Sequence, residues 1–213
     1  MCESIQLICA VIRIGIYSFF RRLCCKGPPP PKPTHSVICL GLAGSGKTTL
    51  LTVLSGETAD IQPTVGFSIK SLLFEDCIVD VKELGGGDNV RPYWDRYYLG
   101  AQGLVLVVDC SADEETMNAT KTELKKACEH PELQGLPVLL LCNKQNVEGS
   151  RSPQEISKFL EVEAEVKAHR WILQGCSSDS KDGIQEGFLQ FNKKVAAYVE
   201  ESEKTTKPEH NQL

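Results

Sequence analysis

Residues 41–48 read Gly-Leu-Ala-Gly-Ser-Gly-Lys-Thr and complete the motif G-x-x-x-x-G-K-[ST]. A glycine-rich loop that opens a helix can direct consecutive backbone N–H groups and the positive helix end at the β- and γ-phosphates of a nucleotide. Lys47 adds a point charge to this cradle, and the Thr48 hydroxyl can ligate Mg²⁺. The motif predicts binding of nucleotide phosphates but does not specify the base.

Four later segments carry further glycines and polar residues next to expected strands or helices. They are residues 63–67, 83–88, 143–146 and 176–178. In the first of them, Thr64 follows the helix that the phosphate loop opens, so its hydroxyl can reach Mg²⁺ and the γ-phosphate.

The spacing of apolar residues predicts alternating strands and helices that position these segments. Strands are expected at residues 36–40, 68–74, 77–81, 104–109, 138–142 and 171–174. Helices are expected at residues 48–54, 114–129, 153–160 and 184–199. The runs 104–108 and 138–141 are apolar on both faces, which is typical of central strands in a helix-covered parallel sheet. Because only Glu75 and Asp76 separate the second and third strands, we expect a hairpin there.

The composition suits one α/β domain in a reducing compartment. The chain has 213 residues, of which 41% are hydrophobic and 24% are charged. Its net charge of −5 argues against nucleic acid as the main partner, since phosphate-tracking surfaces are usually basic. Several of the ten cysteines lie in apolar strand-like runs, as buried thiols do, namely Cys39, Cys77 and Cys142. No CxxC pair occurs, so we expect no structural zinc.

Composition also divides the chain into four parts. Residues 1–26 are predominantly apolar and end in a basic cluster, and residues 27–34 form a proline-rich spacer of polyproline II type. A globular domain is expected at residues 35–201. The polar residues 202–213 are predicted to be a disordered tail.

The first part has the pattern of a helix that lies in a membrane interface. Residues 5–20 are apolar apart from Gln6, Arg13 and Ser18, and Gln6 and Arg13 fall on one narrow helical stripe. The segment is too short, and too interrupted by Arg13, to span a bilayer. A signal peptide is the competing interpretation, but the segment has neither a basic start nor a small-residue cleavage site.

Two adjacent cysteines, Cys24 and Cys25, end this segment between Arg22 and Lys26. This is the setting of S-palmitoylation, and two acyl chains beside basic residues would give a stable anchor. The alternative is that both are ordinary reduced thiols in a buried helix.

The phosphate loop and the four segments, in this order, resemble the ADP-ribosylation-factor-like (Arf-like) small GTPases over residues 35–200. Residues 91–98 are also similar to the second switch of that family. The resemblance implies a P-loop small GTPase fold, with a mostly parallel six-stranded sheet, one antiparallel hairpin and helices on both faces. It also implies that GTP or GDP binds with Mg²⁺, and that two switch segments change shape when the γ-phosphate is lost. The hairpin between the switches would slide in register and couple the nucleotide to the N-terminal segment.

The motif and the resemblance together predict the residues of the site. Nucleotide binding is expected from Gly41, Leu42, Ala43, Gly44, Ser45, Gly46, Lys47, Thr48, Thr49, Thr64, Gly86, Asn143, Lys144, Asn146, Cys176 and Ser177. Metal binding is expected from Thr48, Thr64 and Glu83. The resemblance implies that Gly86 binds the γ-phosphate through its N–H group, that Lys144 packs on the base, and that the Ser177 N–H reaches a base oxygen.

The chain departs from the family pattern where a glutamine orients the attacking water. Gly87 stands there and has no side chain, so we assign no catalytic residue and predict at most very slow GTP hydrolysis. A GTPase-activating partner that relies on this glutamine should also fail. The alternative is that Asp88 or Asn89 takes over the role.

Two further departures concern the metal and the base. Glu83 stands where the family usually has an aspartate, and its longer side chain predicts weaker metal affinity. Asn146 replaces the aspartate that accepts hydrogen bonds from the N1–H and amino groups of guanine. If the NH₂ group of this asparagine faced the amino group of guanine, two hydrogen-bond donors would oppose each other. Xanthine has a carbonyl in place of that amino group and matches the amide better. The substitution therefore predicts relaxed selectivity for guanine. Alternatively, Lys144, Ser177 and the phosphate contacts are sufficient to hold GTP.

These features predict a monomeric GTP-binding switch on the cytoplasmic face of a Golgi, endosomal or plasma membrane, with a cytosolic fraction. Its switches and the hairpin between them would bind an effector protein, and an exchange factor is a further expected partner. The alternative is a catalytically silent binding module that acts as a regulatory subunit largely independent of nucleotide. A nucleotide kinase would share the phosphate loop, but it would leave segments 63–67 and 143–146 unexplained.

Overall fold

The computed structural model describes residue 13 and residues 31–57, 62–165 and 170–206. Contacts divide the chain into two compact units, residues 1–32 and residues 33–213. The predicted membrane segment lies outside the described residues except for Arg13, which is helical and exposed. Cys24 and Cys25 are therefore not described, nor are residues 27–30 of the proline-rich spacer. No helix in the described ranges is long and apolar enough to cross a membrane.

The described residues of the second unit form six strands and five α-helices, most of them close to the positions that the apolar periodicity predicts. The strands are β1 Thr34–Leu40, β2 Phe67–Leu73, β3 Ile78–Leu84, β4 Gly103–Asp109, β5 Val138–Asn143 and β6 Trp171–Gly175. The helices are α1 Lys47–Ser55, α2 Glu114–Glu129, α3 Pro153–Phe159, α4 Val162–Glu165 and α5 Lys181–Thr206.

The strands form one sheet in the order β2-β3-β1-β4-β5-β6. Only β2 and β3 are antiparallel, and every other neighbouring pair is parallel. The predicted fold class is thus confirmed, including the hairpin. The loops that follow β1, β3, β4, β5 and β6 all leave the same edge of the parallel sheet, which is where ligands bind in open α/β sheets.

Helices cover both faces of the sheet, as expected for strands that are apolar throughout. On one face, Ile38, Leu40 and Leu104 pack in a core with Met117 of α2 and Ile156 of α3. On the other face, a second core contains residues of α1 and α5 together with the alternate residues of the same strands, including Val37, Cys39, Leu50, Val105, Phe188 and Phe191. Side chains of one strand alternate between the two cores, so β1 and β4 are fixed from both sides.

Three short-range features were not predicted or differ from the prediction. A 3-10 helix spans Arg91–Tyr97 and α4 has only four residues, and neither is long enough to give an apolar periodicity. Helix α5 continues to Thr206, so residues 202–206 of the predicted disordered tail are helical. Polar residues that favour helices continue α5 there, and no proline interrupts it before position 208.

Cys39, Cys77 and Cys142 are buried, as the sequence predicts. Burial, with a contribution from the nearby Glu83 carboxylate, raises the pKa of Cys39 to about 12. The Cys39 thiol is therefore a protonated core residue.

Candidate functional site

The phosphate loop joins β1 to α1 and owes its shape to glycines. Gly44 and Gly46 have φ values of 74° and 92°, in the left-handed region that favours glycine. A Cβ on Gly46 would lie only 2.3 Å from Nδ2 of Asn143, whereas nothing lies within 4 Å of one on Gly44. Glycine is thus needed in this loop for two different reasons, conformation at both Gly44 and Gly46 and close packing at Gly46 but not at Gly44.

Lys47 begins α1 and folds back over the loop. Its Nζ donates to the carbonyl oxygens of Gly41 at 2.8 Å and Leu42 at 3.1 Å. The residue is only 6% exposed, and burial lowers the pKa of its amino group even though Glu83 nearby opposes that shift. A buried cation at the N-terminus of a helix is suited to an anionic ligand such as phosphate.

Three predicted metal ligands meet beside this lysine. Oε1 of Glu83 accepts hydrogen bonds from Oγ1 of Thr48 at 2.5 Å and Oγ1 of Thr64 at 3.1 Å, and the two hydroxyl oxygens are 3.2 Å apart. Adjacent ligands of an octahedral Mg²⁺ with 2.0–2.1 Å bonds lie about 2.9 Å apart, so the three oxygens are close to that spacing. The substitution of glutamate for aspartate therefore still brings a carboxylate to both threonines.

Glu83 is fully buried, and its second oxygen, Oε2, has no hydrogen-bond partner among the described residues. A buried carboxylate oxygen without a partner is costly, and a divalent cation would satisfy it. The donor set of hydroxyls and one carboxylate is the oxygen chemistry that Mg²⁺ prefers. The residues present therefore fit a magnesium ion.

The second switch lies directly against the phosphate loop. Gly86 accepts a hydrogen bond from the Ala43 N–H at 3.0 Å, and a Cβ on Gly86 would come within 2.4 Å of the Gly41 oxygen. Next to it, Gly85 donates its N–H to the Gly66 oxygen at 2.8 Å and accepts a 2.8 Å bond from the indole of Trp94. The two glycines thus connect the loop, the first switch and the 3-10 helix.

A cavity of about 420 Å³ lies between the loop and both switches. Its walls include Lys47, Thr48, Thr64 and Glu83 together with residues of the second switch, namely Gly86, Gly87 and Asn89. The tertiary structure therefore brings the predicted phosphate and metal residues to one space. Its volume lies in the range typical of small-ligand sites.

The position of the missing glutamine borders this cavity. A Cβ on Gly87 would lie 2.9 Å from Oδ1 of Asn89, and Asn89 lines the same cavity. Asp88 instead forms an ion pair with Arg91 and is almost fully exposed. Of the two residues considered as substitutes for the glutamine, only Asn89 lies near the position that a water-orienting side chain would occupy.

Residues 143–146 follow β5 on the base side of the loop. The buried Asn143 donates from Nδ2 to the Ser45 oxygen at 2.8 Å, which fixes this segment to the phosphate loop. Lys144 has a positive φ of 64° and its Nζ lies 2.5 Å from Oδ2 of Asp109 at the end of β4. Partial burial opposes ionisation of Asp109, but hydrogen bonds from Lys144 and Ser111 outweigh it and hold its pKa below the usual value.

Asn146 and the segment after β6 meet at the exposed end of the site. Nδ2 of Asn146 donates to Oδ2 of Asp179 at 2.7 Å. Gln145 donates its N–H to the Cys176 oxygen at 3.2 Å, so the two segments are also joined through their backbones. The structure thus places residues 143–146 and 176–177 side by side, as expected of a common base site.

Sequence reasoning missed Asp109 and Asp179. Asp109 ends the apolar run of β4, and polar residues at the carboxyl ends of parallel strands meet at one edge, so this position signal could have found it. Asp179 lies two residues beyond Ser177 in a polar stretch, and nothing in the sequence distinguishes it from its neighbours. Its contact with Asn146 spans 33 residues and depends on the fold.

Comparison with known proteins agrees with the resemblance. The model of the ADP-ribosylation factor family matches residues 31–195. Human ADP-ribosylation factor-like protein 15 is 49% identical over 175 residues, which cover 82% of this chain and 86% of that protein. ADP-ribosylation factor-like protein 2 of Arabidopsis thaliana is 37% identical over 187 residues, or 87% of this chain and 98% of that protein.

Among solved structures, the Arl6 (BBS3) small GTPase of Trypanosoma brucei with bound nucleotide analogue GppNp matches with a TM-score of 0.71. It is 24% identical and covers 78% of this chain and 99% of that one, a likeness that concerns the fold. Residues 24–30, 66–70, 81–86 and 170–174 of the sequence resemble ADP-ribosylation factor-like protein 15, and the comparison confirms this resemblance. The chain belongs to the ADP-ribosylation factor family.

Proposed function

We propose that the chain binds GTP and GDP with Mg²⁺ and works as a regulatory switch of the Arf-like type. The observation that carries this proposal is the convergence of Thr48, Thr64 and Glu83 beside the buried Lys47. Family membership supports guanine as the base, and the Trypanosoma brucei neighbour was solved with GppNp. The nucleotide that copurifies with the full chain, identified by chromatography after denaturation, tests the proposal. Absence of any guanine nucleotide, together with no binding of added GDP, would overturn it.

Coupling between the two switches rests on short contacts. The Thr64 hydroxyl donates a hydrogen bond to Glu83, which is also a predicted metal ligand. Two residues later, the Gly66 oxygen accepts the hydrogen bond from the Gly85 N–H. Mg²⁺, when bound, neutralises charge on the β- and γ-phosphate oxygens. Movement of Thr64 would pull on Gly66 and so on Gly85, whose oxygen holds Trp94. This chain of contacts supports a switch in which loss of one ligand releases both segments.

Very slow hydrolysis is part of the proposal because Gly87 presents no side chain to the attacking water. Gly87→Gln should restore a water-orienting amide and raise the single-turnover rate of GTP hydrolysis by about tenfold or more. The substitution is sterically feasible, since the nearest atom is the end of the exposed Asn89 side chain.

Asn89→Ala separates the alternatives for hydrolysis. A fall in the wild-type rate would identify Asn89 as the substitute for glutamine. An unchanged low rate, with acceleration in Gly87→Gln, supports the slow-switch proposal. A wild-type rate that matches ordinary Arf-like proteins and does not respond to Asn89→Ala contradicts it.

An effector surface on the hairpin and switches is supported by exposed apolar side chains. Val65, Phe67, Ile69 and Leu73 lie on or next to the edge strand β2, and they are between 47% and 92% exposed. Tyr93 of the 3-10 helix is also about half exposed, whereas Trp94 and Tyr98 are buried. Large exposed apolar residues that share one strand indicate an interaction site. Ile69→Asp should abolish partner binding while leaving nucleotide binding unchanged.

The second candidate, a binding module that works independently of nucleotide, is supported by Gly87. Loading the chain with GDP or with GppNp before measuring partner binding discriminates the two. A partner that binds both forms equally favours the module, and one that prefers the GppNp form favours the switch.

Attachment to the cytoplasmic face of a membrane through acylated Cys24 and Cys25 completes the proposal. It rests on the sequence pattern of residues 1–26. Hydroxylamine-sensitive acyl exchange should label wild type and fail in the double Cys24→Ser, Cys25→Ser variant, with Cys128→Ser in α2 as control. A membrane fraction that is unchanged in the double variant would contradict acylation as the anchor.

A further inference from the structure

The contact between Asn146 and Asp179 fixes the orientation of an amide at the base side of the site. The carboxylate of Asp179 can only accept hydrogen bonds, so the NH₂ group of Asn146 must be the one that faces it, at 2.7 Å. Oδ1 of Asn146 consequently points away from Asp179. Both side chains are exposed, and without this bond the Asn146 amide would be free to rotate.

The two loops that carry this pair are held by their own hydrogen bonds. Asp179 lies in a tight turn between Ser177 and Ser180, which form an isolated bridge, and its N–H donates to Oγ of Ser177 at 3.3 Å. On the other loop, the Val147 N–H donates to the Lys144 oxygen at 3.0 Å. The pair is therefore presented by two ordered turns.

Guanine offers two donors on one edge, the ring N1–H and the exocyclic amine, and it needs an acceptor opposite them. An asparagine that can rotate offers either an acceptor or a donor. Once one N–H of its NH₂ group is bound to Asp179, the Asn146 amide no longer rotates, and Oδ1 with its two lone pairs stays on the side away from Asp179. Xanthine, which has a carbonyl in place of the amine, would then face an acceptor and be rejected.

We propose that Asp179 is a positioning residue for guanine selectivity, and that it acts by holding the Asn146 amide with Oδ1 toward the base. This inference rests on the proposed nucleotide-binding function. It replaces the expectation of relaxed selectivity from Asn146 alone, because the missing carboxylate is supplied from the neighbouring loop.

The charge of Asp179 should have opposite effects on guanine binding with an asparagine and with an aspartate at position 146. An aspartate at position 146 would place two carboxylates within hydrogen-bond distance of each other, and like charges at that spacing repel. Asp179 should therefore help guanine binding when residue 146 is asparagine and hinder it when residue 146 is aspartate. If Asp179 only stabilised the local fold, Asp179→Ala would change guanine affinity in the same direction with asparagine or aspartate at position 146.

The test is equilibrium titration of the full chain with fluorescent derivatives of GDP and of xanthosine diphosphate (XDP) in the presence of Mg²⁺. Wild type should prefer GDP, and Asp179→Ala should lower the GDP-to-XDP affinity ratio by about tenfold, since one charge-assisted hydrogen bond sets the orientation. Asp179→Asn, which keeps the shape and one acceptor, should give a smaller decrease. In the Asn146→Asp background, Asp179→Ala should instead raise GDP affinity. Glu148→Gln removes a neighbouring exposed charge and should leave the ratio within about twofold.

The possible failures are distinguishable. If wild type binds neither GDP nor XDP, the proposed function falls and this inference falls with it. If GDP binds but Asp179→Ala leaves the ratio unchanged, or weakens both nucleotides equally, only the inference is overturned. The same holds if Asp179→Ala lowers GDP affinity in the Asn146→Asp background.

Discussion

The phosphate side and the base side of the site differ in how deeply their side chains are buried and in how many hydrogen bonds hold them. On the phosphate side, Lys47, Glu83 and Asn143 are at most 6% exposed, and each forms a hydrogen bond with a residue of the phosphate-loop motif 41–48. On the base side, Asn146 and Asp179 are exposed and touch through a single side-chain bond. The phosphate side keeps a carboxylate, Glu83, beside Thr48 and Thr64, whereas residue 146 on the base side is an amide whose carboxylate neighbour, Asp179, lies on another loop.

Burial explains this contrast. A buried charge without a partner costs several kcal/mol, so a change at Lys47 or Glu83 must be matched immediately by its neighbours. An exposed residue can exchange its partner at little cost, because water satisfies what the protein does not. Substitutions on the phosphate side should therefore affect folding and binding together, while those on the base side should mainly affect selectivity.

Gly46→Ala should have the largest effect on stability, because Gly46 packs against Asn143 where the phosphate loop meets the segment 143–146. A left-handed φ costs an alanine about 1–2 kcal/mol, and displacing the buried Asn143 amide adds about 1–3 kcal/mol. We expect the free energy of unfolding to fall by about 3 kcal/mol, as measured by urea denaturation. Gly44→Ala shares the positive φ but has open space, so it should lose only about 1–2 kcal/mol. Equal losses in both variants would show that packing against Asn143 contributes nothing.

Lys47→Ala should weaken GDP binding by about 100-fold, since it removes a buried cation with charge-assisted bonds to phosphate. Isothermal titration with GDP measures the change. Lys126→Ala in α2 removes an equal charge from an exposed ion pair with Glu123 and should change affinity by less than about twofold. If Lys47→Ala retains wild-type affinity, the loop does not bind phosphate.

Thr48→Ala should abolish the effect of Mg²⁺ on nucleotide release, because it removes one of the three converging oxygens. In wild type we expect EDTA to accelerate GDP release by about tenfold or more, whereas the variant should release GDP rapidly with or without Mg²⁺. Thr52→Ser, one turn further along α1, controls for a change of a threonine in this helix. A variant that still responds fully to EDTA would contradict the metal assignment.

Asp109→Asn should have the smallest effect. The pKa of this carboxyl is lower in the folded chain, so its contribution to stability is complete above the ordinary aspartate pKa of about 3.9 and is lost as pH falls through the folded value. Because Asp109 and Lys144 are only partly buried, we expect at most about 1 kcal/mol at pH 7. Urea unfolding at pH 7 and pH 3 should show a smaller difference from wild type at the lower pH.

Asp76→Asn in the exposed turn between β2 and β3 is the control for that measurement. A difference between wild type and Asp109→Asn that grew at pH 3 would show that the pair with Lys144 does not stabilise the fold.

Much of the fold and half of the site could be predicted from the sequence because their signals are local. The phosphate loop is eight consecutive residues, and the strands β4 and β5 are unbroken apolar runs. Glycine at 46 and lysine at 47 have meaning at fixed offsets from a strand and a helix, so no distant contact was needed to identify them. The prediction for residues 202–206 was wrong because a polar helical extension and a disordered tail have a similar composition.

The sequence by itself determined that a P-loop nucleotide site exists, that an Arf-like sheet carries it, and that a glutamine and an aspartate are missing. Only the tertiary structure decided which side chains surround these positions and the predicted metal ligands. It placed Glu83 within reach of both Thr48 and Thr64, left Gly87 with Asn89 as its nearest neighbour, and brought Asp179 to Asn146 across 33 residues. Such contacts depend on which loops leave the same sheet edge, which no local pattern records.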